Sequence, residues 1–134
     1  MNDKYEILVV DDDPDIRDAL TMVLENNGYI VRTCKNGKEA LEALKIRKPA
    51  AMVLDIMMAT DTEGFDLAFE LKNTSEFENL PIILLTSFLE KVREEGPEQF
   101  QHILGEAWPA EWMYEKPVDT RKLLAQLEKI VKGH

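Results

Sequence analysis

Four groups of residues have the types and placement to do chemistry together. Asp11, Asp12 and Asp13 follow the apolar run Tyr5–Val10 without a break, and Asp55 ends the run Ala51-Met52-Val53-Leu54. Thr86 closes the run that starts at Pro81, and Lys116 follows the segment Glu111–Glu115. A carboxylate at the tip of a buried strand is costly to desolvate unless its charge is used. Carboxylates brought together raise one another's pKa unless a cation neutralises them. A hard divalent ion such as Mg²⁺ suits oxygen ligands and keeps positions open for phosphate oxygens. A hydroxyl from Thr86 and an ammonium from Lys116 would complete a pocket of phosphoryl size. Accepting a phosphoryl group on a carboxylate is established covalent chemistry. It needs mainly in-line positioning and charge neutralisation. Asp55 is the candidate nucleophile, and Asp11 and Asp12 are the candidate metal acids. Asp13, standing before Pro14, reads as a helix cap.

The remaining chain supplies elements that would carry these groups. Tyr5–Val10, Ala50–Asp55 and Pro81–Thr86 are short apolar runs of the kind buried on both faces of a sheet. Tyr29–Cys34 and the weaker Glu111–Glu115 read as two more strands. Helices are expected from Pro14 to Gly28, with Ile16, Ala19, Leu20, Val23 and Leu24 at helical spacing, and from Asn36-Gly37 to a stop before Pro49. Further helices are expected over Gly64–Thr74, Phe88–Glu95 and Glu98–Leu104, the last two separated by Gly96-Pro97. A final helix runs from Asp119 to Val131 with a core stripe of Leu123, Leu124, Leu127, Ile130 and Val131. Strands alternating with helices predict an α/β fold with a parallel sheet covered on both faces. In such sheets functional groups collect beyond the carboxyl ends of the strands. That is where Asp11, Asp12, Asp55, Thr86 and Lys116 fall.

Composition narrows the class. At 134 residues the chain reads as one domain, 1–134, able to bury a core. Its net charge of −10 argues against nucleic acid or an anionic membrane as a direct partner. The single cysteine, Cys34, excludes an internal disulfide framework and reads as a buried thiol in a reducing compartment. No apolar run is long enough to span a bilayer, so a cytoplasmic location is expected.

Four motifs occur in order, each at a strand end: VVDDDP (Val9–Pro14), VLDIMM (Val53–Met58), PIILLTS (Pro81–Ser87) and EKPV (Glu115–Val118). With these, the chain resembles a response-regulator receiver domain of two-component signalling over essentially its whole length. The resemblance implies a flavodoxin-like fold with strand order 2-1-3-4-5. It implies that Asp55 accepts a phosphoryl group from a sensor histidine kinase or a histidine phosphotransfer protein. Asp12 would ligate Mg²⁺ directly, Asp11 mostly through water, and the Met57 backbone carbonyl would add a ligand. Thr86 would be the switch hydroxyl and Lys116 the phosphoryl partner. The product would be a conformational switch that controls a downstream protein, with a homodimer as one outcome, in a signalling domain rather than an enzyme. A receiver-like docking module that works without phosphorylation is the alternative.

The chain departs from the family pattern in three places. The turn after Asp55 has no proline, reaches Gly64 late, and adds two acids, Asp61 and Glu63, near the metal pocket. The span from Thr86 to Lys116 is long, which predicts an altered or extended fourth-helix region over Ser87 to Glu111. The position three before the lysine, often an aromatic that follows phosphorylation, is Met113, flanked by Trp112 and Tyr114. Either aromatic could substitute only through a shifted or bulged strand.

Overall fold

Short strands rich in Val, Ile and Leu leave no polar face for solvent, so helices must cover both sides of any sheet they build. The computed structural model describes residues 5–55, 63–86, 112–115 and 118–132, with positions 65, 86, 112, 113 and 115 described by their backbone. Along the chain come β1 (Glu6–Val10), α1 (Pro14–Asn26), β2 (Ile30–Cys34), α2 (Gly37–Ile46), β3 (Ala51–Asp55), α3 (Glu63–Lys72), β4 (Ile82–Thr86), β5 (Trp112–Glu115) and α4 (Thr120–Lys132). The five strands form one sheet in the order β2-β1-β3-β4-β5, and every pairing is parallel. The helices expected over Phe88–Glu95 and Glu98–Leu104 lie outside the described residues.

Alternation along the strands divides the core in two. Leu8, Val10, Met52, Leu54, Ile82 and Leu84 pack with Ala40 and Leu44 of α2 and Leu67, Ala68 and Leu71 of α3. On the opposite face Ile7, Val9, Ala51, Val53, Ile83 and Leu85 pack with Leu20 and Leu24 of α1 and Leu123, Leu127, Ile130 and Val131 of α4. The stripe predicted for α1 is only partly absorbed. Leu20 and Leu24 are buried, whereas Ile16, Ala19 and Val23 line a groove with Leu85 and Val118.

The helix ends carry the expected signals. Asp13 caps α1 through a bond from the Asp15 amide to its Oδ1 (2.9 Å), and Pro14 occupies the first turn. Gly28 follows α1 with φ 90°, a conformation that disfavours a side chain. Asn36 caps α2 by accepting from the Glu39 amide (2.8 Å), and Asp119 Oδ1 accepts from the Arg121 amide (3.0 Å) ahead of α4. The third helix ends at Lys72, short of the predicted Thr74. There the Asn73 amide group and the Thr74 hydroxyl donate to the carbonyls of Phe69 and Glu70 (2.9 and 2.8 Å) and draw the chain out of the helix. The first four strands each begin one residue later than predicted. For β4 this leaves out Pro81, which has no amide proton for the ladder.

Candidate functional site

Asp11 continues β1 by one residue, its amide donating to the Cys34 carbonyl across to β2 (3.1 Å). Asp55 is the last residue of β3, and β3 lies directly beside β1 with Val10 paired to Leu54. Strand order therefore brings two chain-distant acids side by side at the carboxyl edge. Asp11 and Asp55 are 1% and 3% exposed, while Asp12 is open to solvent. Carboxylate oxygens of Asp11, Asp12 and Asp55 all lie within 4.8 Å of one another.

This donor set fits a hard cation. Around a Mg²⁺ ion with oxygens at about 2.1 Å, neighbouring ligands stand roughly 3 Å apart and opposite ones about 4.2 Å. The three oxygens, within 4.8 Å of one another, lie at most about 0.6 Å beyond that upper limit. Two of the acids are buried, so water alone solvates their charge poorly, and a cation would offset the mutual repulsion.

Neighbouring groups hold Asp11 in place. Its Oδ1 accepts from the Asp13 amide (3.0 Å), which ties the acid to the start of α1. The Arg17 guanidinium donates to the Asp11 backbone carbonyl (2.7 Å) from the next turn of the same helix. Arg17 was not singled out in the sequence, although its place one turn after the acid run is a usable signal.

The backbone at Thr86 ends β4, one residue beyond Leu85, the register partner of Asp55. Its own partner is Glu115, the residue before Lys116. Lys116 and Met57 lie outside the described residues. Of the two extra acids expected near the pocket, Asp61 also lies outside. Glu63 sends Oε2 to the Gly37 amide (2.8 Å) at the start of α2 and is not one of the three clustered carboxylates.

The register of β5 bears on the aromatic position. Ile83, Leu84, Leu85 and Thr86 pair in unbroken succession with Trp112, Met113, Tyr114 and Glu115. Tyr114 therefore shares a face with Leu85, and it packs against the cluster on the α1 and α4 side. Met113 occupies the alternate register position, with Leu84. No bulge or slip exchanges them.

A second polar cluster sits away from the acids. Glu6 accepts from Arg32 Nε (2.8 Å) and from Arg47 Nη2, and Arg32 also donates to the carbonyls of Ala43 and Arg47 (2.9 and 2.6 Å). Burial pushes the Glu6 carboxyl up, but hydrogen bonds from Arg47 and Arg32 and their charges outweigh it and hold the pKa below the ordinary value. Cys34 is buried, and burial, reinforced by Glu39, pushes its thiol up, as suits an inert core residue.

Known proteins resemble this chain in sequence and fold. The family described as response regulator receiver domain matches residues 7–128. The response regulator MprA of Mycolicibacterium vanbaalenii is 41% identical over 81 residues, which is 60% of this chain and 34% of that protein. The matched stretch thus spans about a third of that relative's length. Among solved structures, the signal receiver domain of a signal transduction histidine kinase from Syntrophus aciditrophicus superposes with a TM-score of 0.80 at 27% identity, covering 96% of this chain and 91% of that one. The response regulator TrrA of Thermotoga maritima, in complex with Mg²⁺-BeF, has a TM-score of 0.73 at 28% identity, covering 94% and 98%. Among the described residues no helix is long and apolar enough to cross a membrane.

Proposed function

The chain belongs to the response regulator receiver domain family, and from that premise we propose that Asp55 is its phosphoryl acceptor. Receiver domains are signalling domains of two-component systems, and their flavodoxin-like fold is the one described above. The observation that carries the reading is the cluster of Asp11, Asp12 and Asp55 at the carboxyl edge of the sheet.

In this reading Asp12 and Asp55, with the Met57 carbonyl, would hold Mg²⁺, and Asp11 would act mainly through water. The ion supplies charge neutralisation for the incoming phosphoryl oxygens. An Asp55 oxygen forms the new P–O bond while the donor's P–N bond breaks, the electron pair leaving on the donor imidazole nitrogen. Burial of Asp55 limits competing water and keeps the carboxylate aimed along one direction. Thr86 donates its hydroxyl to the transferred group, and Lys116 pairs with it as a point charge. The donor is a histidine kinase or a phosphotransfer protein, and the added charge favours a second conformation read by a downstream protein. Met113 stands where an aromatic often follows phosphorylation. Trp112, paired with Ile83, and Tyr114, paired with Leu85, hold the alternate register positions, so neither stands at that place in the strand.

The test is direct. The protein is incubated with Mg²⁺ and a small-molecule phosphodonor, and its intact mass is compared with that of Asp55→Asn. One phosphoryl mass on the wild type and none on the variant or without Mg²⁺ is the expected result. No gain on the wild type would overturn the reading in favour of a docking module that works without phosphorylation.

A further inference from the structure

Asp12 is held differently from the two acids beside it. Asp11 and Asp55 are buried, and Asp11 is tied through its carboxylate and its amide. Asp12 is exposed, and among the described residues no hydrogen bond or ion pair holds its side chain. Its carboxylate nonetheless lies within 4.8 Å of the other two. The backbone on either side is what aims it. The Asp11 amide donates to the Cys34 carbonyl at 3.1 Å, and the Asp13 amide donates to Asp11 Oδ1 at 3.0 Å. The Asp13 carbonyl accepts from the Arg17 amide at 3.1 Å. The remaining link is the Asp11–Asp12 peptide, whose carbonyl accepts from Arg17 Nη1 at 2.7 Å. That planar unit sets the direction in which Asp12 leaves the strand. Arg17 is half-buried, and among the described residues its guanidinium donates to this carbonyl and pairs with no carboxylate.

We propose that Arg17 is a positioning residue for the cation site, locking the Asp11–Asp12 peptide so that the exposed acid is presented beside Asp55. The inference rests on the metal role proposed above for Asp12. A purely electrostatic role and a positioning role differ in sign. A fixed positive charge beside a cation site repels the ion, so its removal alone would tighten Mg²⁺ binding. A bond that orders a ligand in advance lowers the conformational cost of binding, so its loss weakens binding. In this arrangement the second effect outweighs the first.

The experiment titrates the whole chain with Mg²⁺ alone, followed by backbone amide chemical shifts, alongside the intact-mass test of phosphoryl gain on the wild type. Arg17→Met keeps the stem and the helix propensity but loses the charge and the donors. It should bind Mg²⁺ about tenfold more weakly, in line with other residues that orient metal ligands without touching the metal. Arg17→Lys keeps the charge without the planar fork, and its affinity should lie between those of wild type and Arg17→Met. The same substitutions are then made in an Asp12→Asn background. There Arg17 has no ligand left to aim, and Arg17→Met should change the remaining affinity less than twofold.

If Arg17→Met binds Mg²⁺ as tightly as wild type or more tightly, Arg17 acts by charge or by stability alone. The inference is then overturned, while the role of Asp55 stands. If the loss is equally large in the Asp12→Asn background, removing Arg17 loosens the whole edge, and the positioning of Asp12 is again overturned. If the wild type neither binds Mg²⁺ nor gains a phosphoryl group, the reading of Asp55 fails and takes the role of Arg17 with it.

Discussion

Asp11 and Asp12 are adjacent in the chain, yet burial separates them: one is 1% exposed and the other faces solvent. The buried acid is held by the Asp13 amide and its own backbone bonds, so its placement belongs to the fold. The exposed acid is the cleaner probe of the cluster's electrostatics. With carboxylate oxygens within 4.8 Å, removing one negative charge relieves repulsion in the metal-free protein. Asp12→Asn should therefore raise metal-free stability by about 1 kcal/mol, a figure already reduced for solvent screening. The same change should remove most of the stabilisation that Mg²⁺ adds to the wild type. Urea denaturation in chelator and in excess Mg²⁺ checks both effects. Equal Mg²⁺ stabilisation of the two proteins would take Asp12 out of the ligand set.

Between elements, the Glu6 cluster joins β1, β2 and the end of α2. Arg32 reaches from the middle of β2 to Glu6 and to the Ala43 and Arg47 carbonyls, so one guanidinium serves both a carboxylate and a helix end. The Glu6 carboxyl titrates below its ordinary value of 4.5 in the folded protein. A lowered folded pKa means that its contribution is fully present above the unfolded value and is lost as pH falls through the folded one. Glu6→Gln should cost about 2 kcal/mol near neutral pH, the size of hydrogen bonds to a charged group. Below pH 4.5 the gap between variant and wild type should narrow. Chemical denaturation from pH 7 down to pH 3 measures this, and a gap that stays constant would show that Glu6 acts by shape alone.

For the molecule as a whole, the sheet carries two unlike faces. The odd-numbered positions of β1 and β3, the set to which Asp55 belongs, pack against α1 and α4. Helix α4 thus covers the layer that leads to the acceptor. Leu127 is fully buried there, among Leu123, Ile130 and Val131. Leu127→Ala should destabilise the protein by about 3 kcal/mol, through lost transfer energy and the cavity left behind. Thermal or urea unfolding would register this. A change under about 1 kcal/mol would mean that α4 repacks freely and does not brace the Asp55 face.

The elements themselves were legible because their causes are local. Apolar runs that end in acids, Asp13 before Pro14, Asn36 before Gly37 and the stripe of α4 all act within a turn or two of chain, and each appears where the sequence places it. The acids could be assigned to one edge because a parallel sheet puts every strand's carboxyl end on the same side. Other features depend on which strands become neighbours and in what register, a choice made by contacts far apart in sequence. That β1 lies against β3 and sets Asp11 beside Asp55 could be expected only through the resemblance that implies order 2-1-3-4-5, and the tertiary structure bears it out. The tertiary structure alone buried Asp11 and left Asp12 in solvent, and it paired Tyr114 with Leu85 and Met113 with Leu84. The turn of Glu63 toward Gly37 is of the same kind, because a carboxylate satisfies whichever unpaired amide the packing of α2 beside α3 brings within reach.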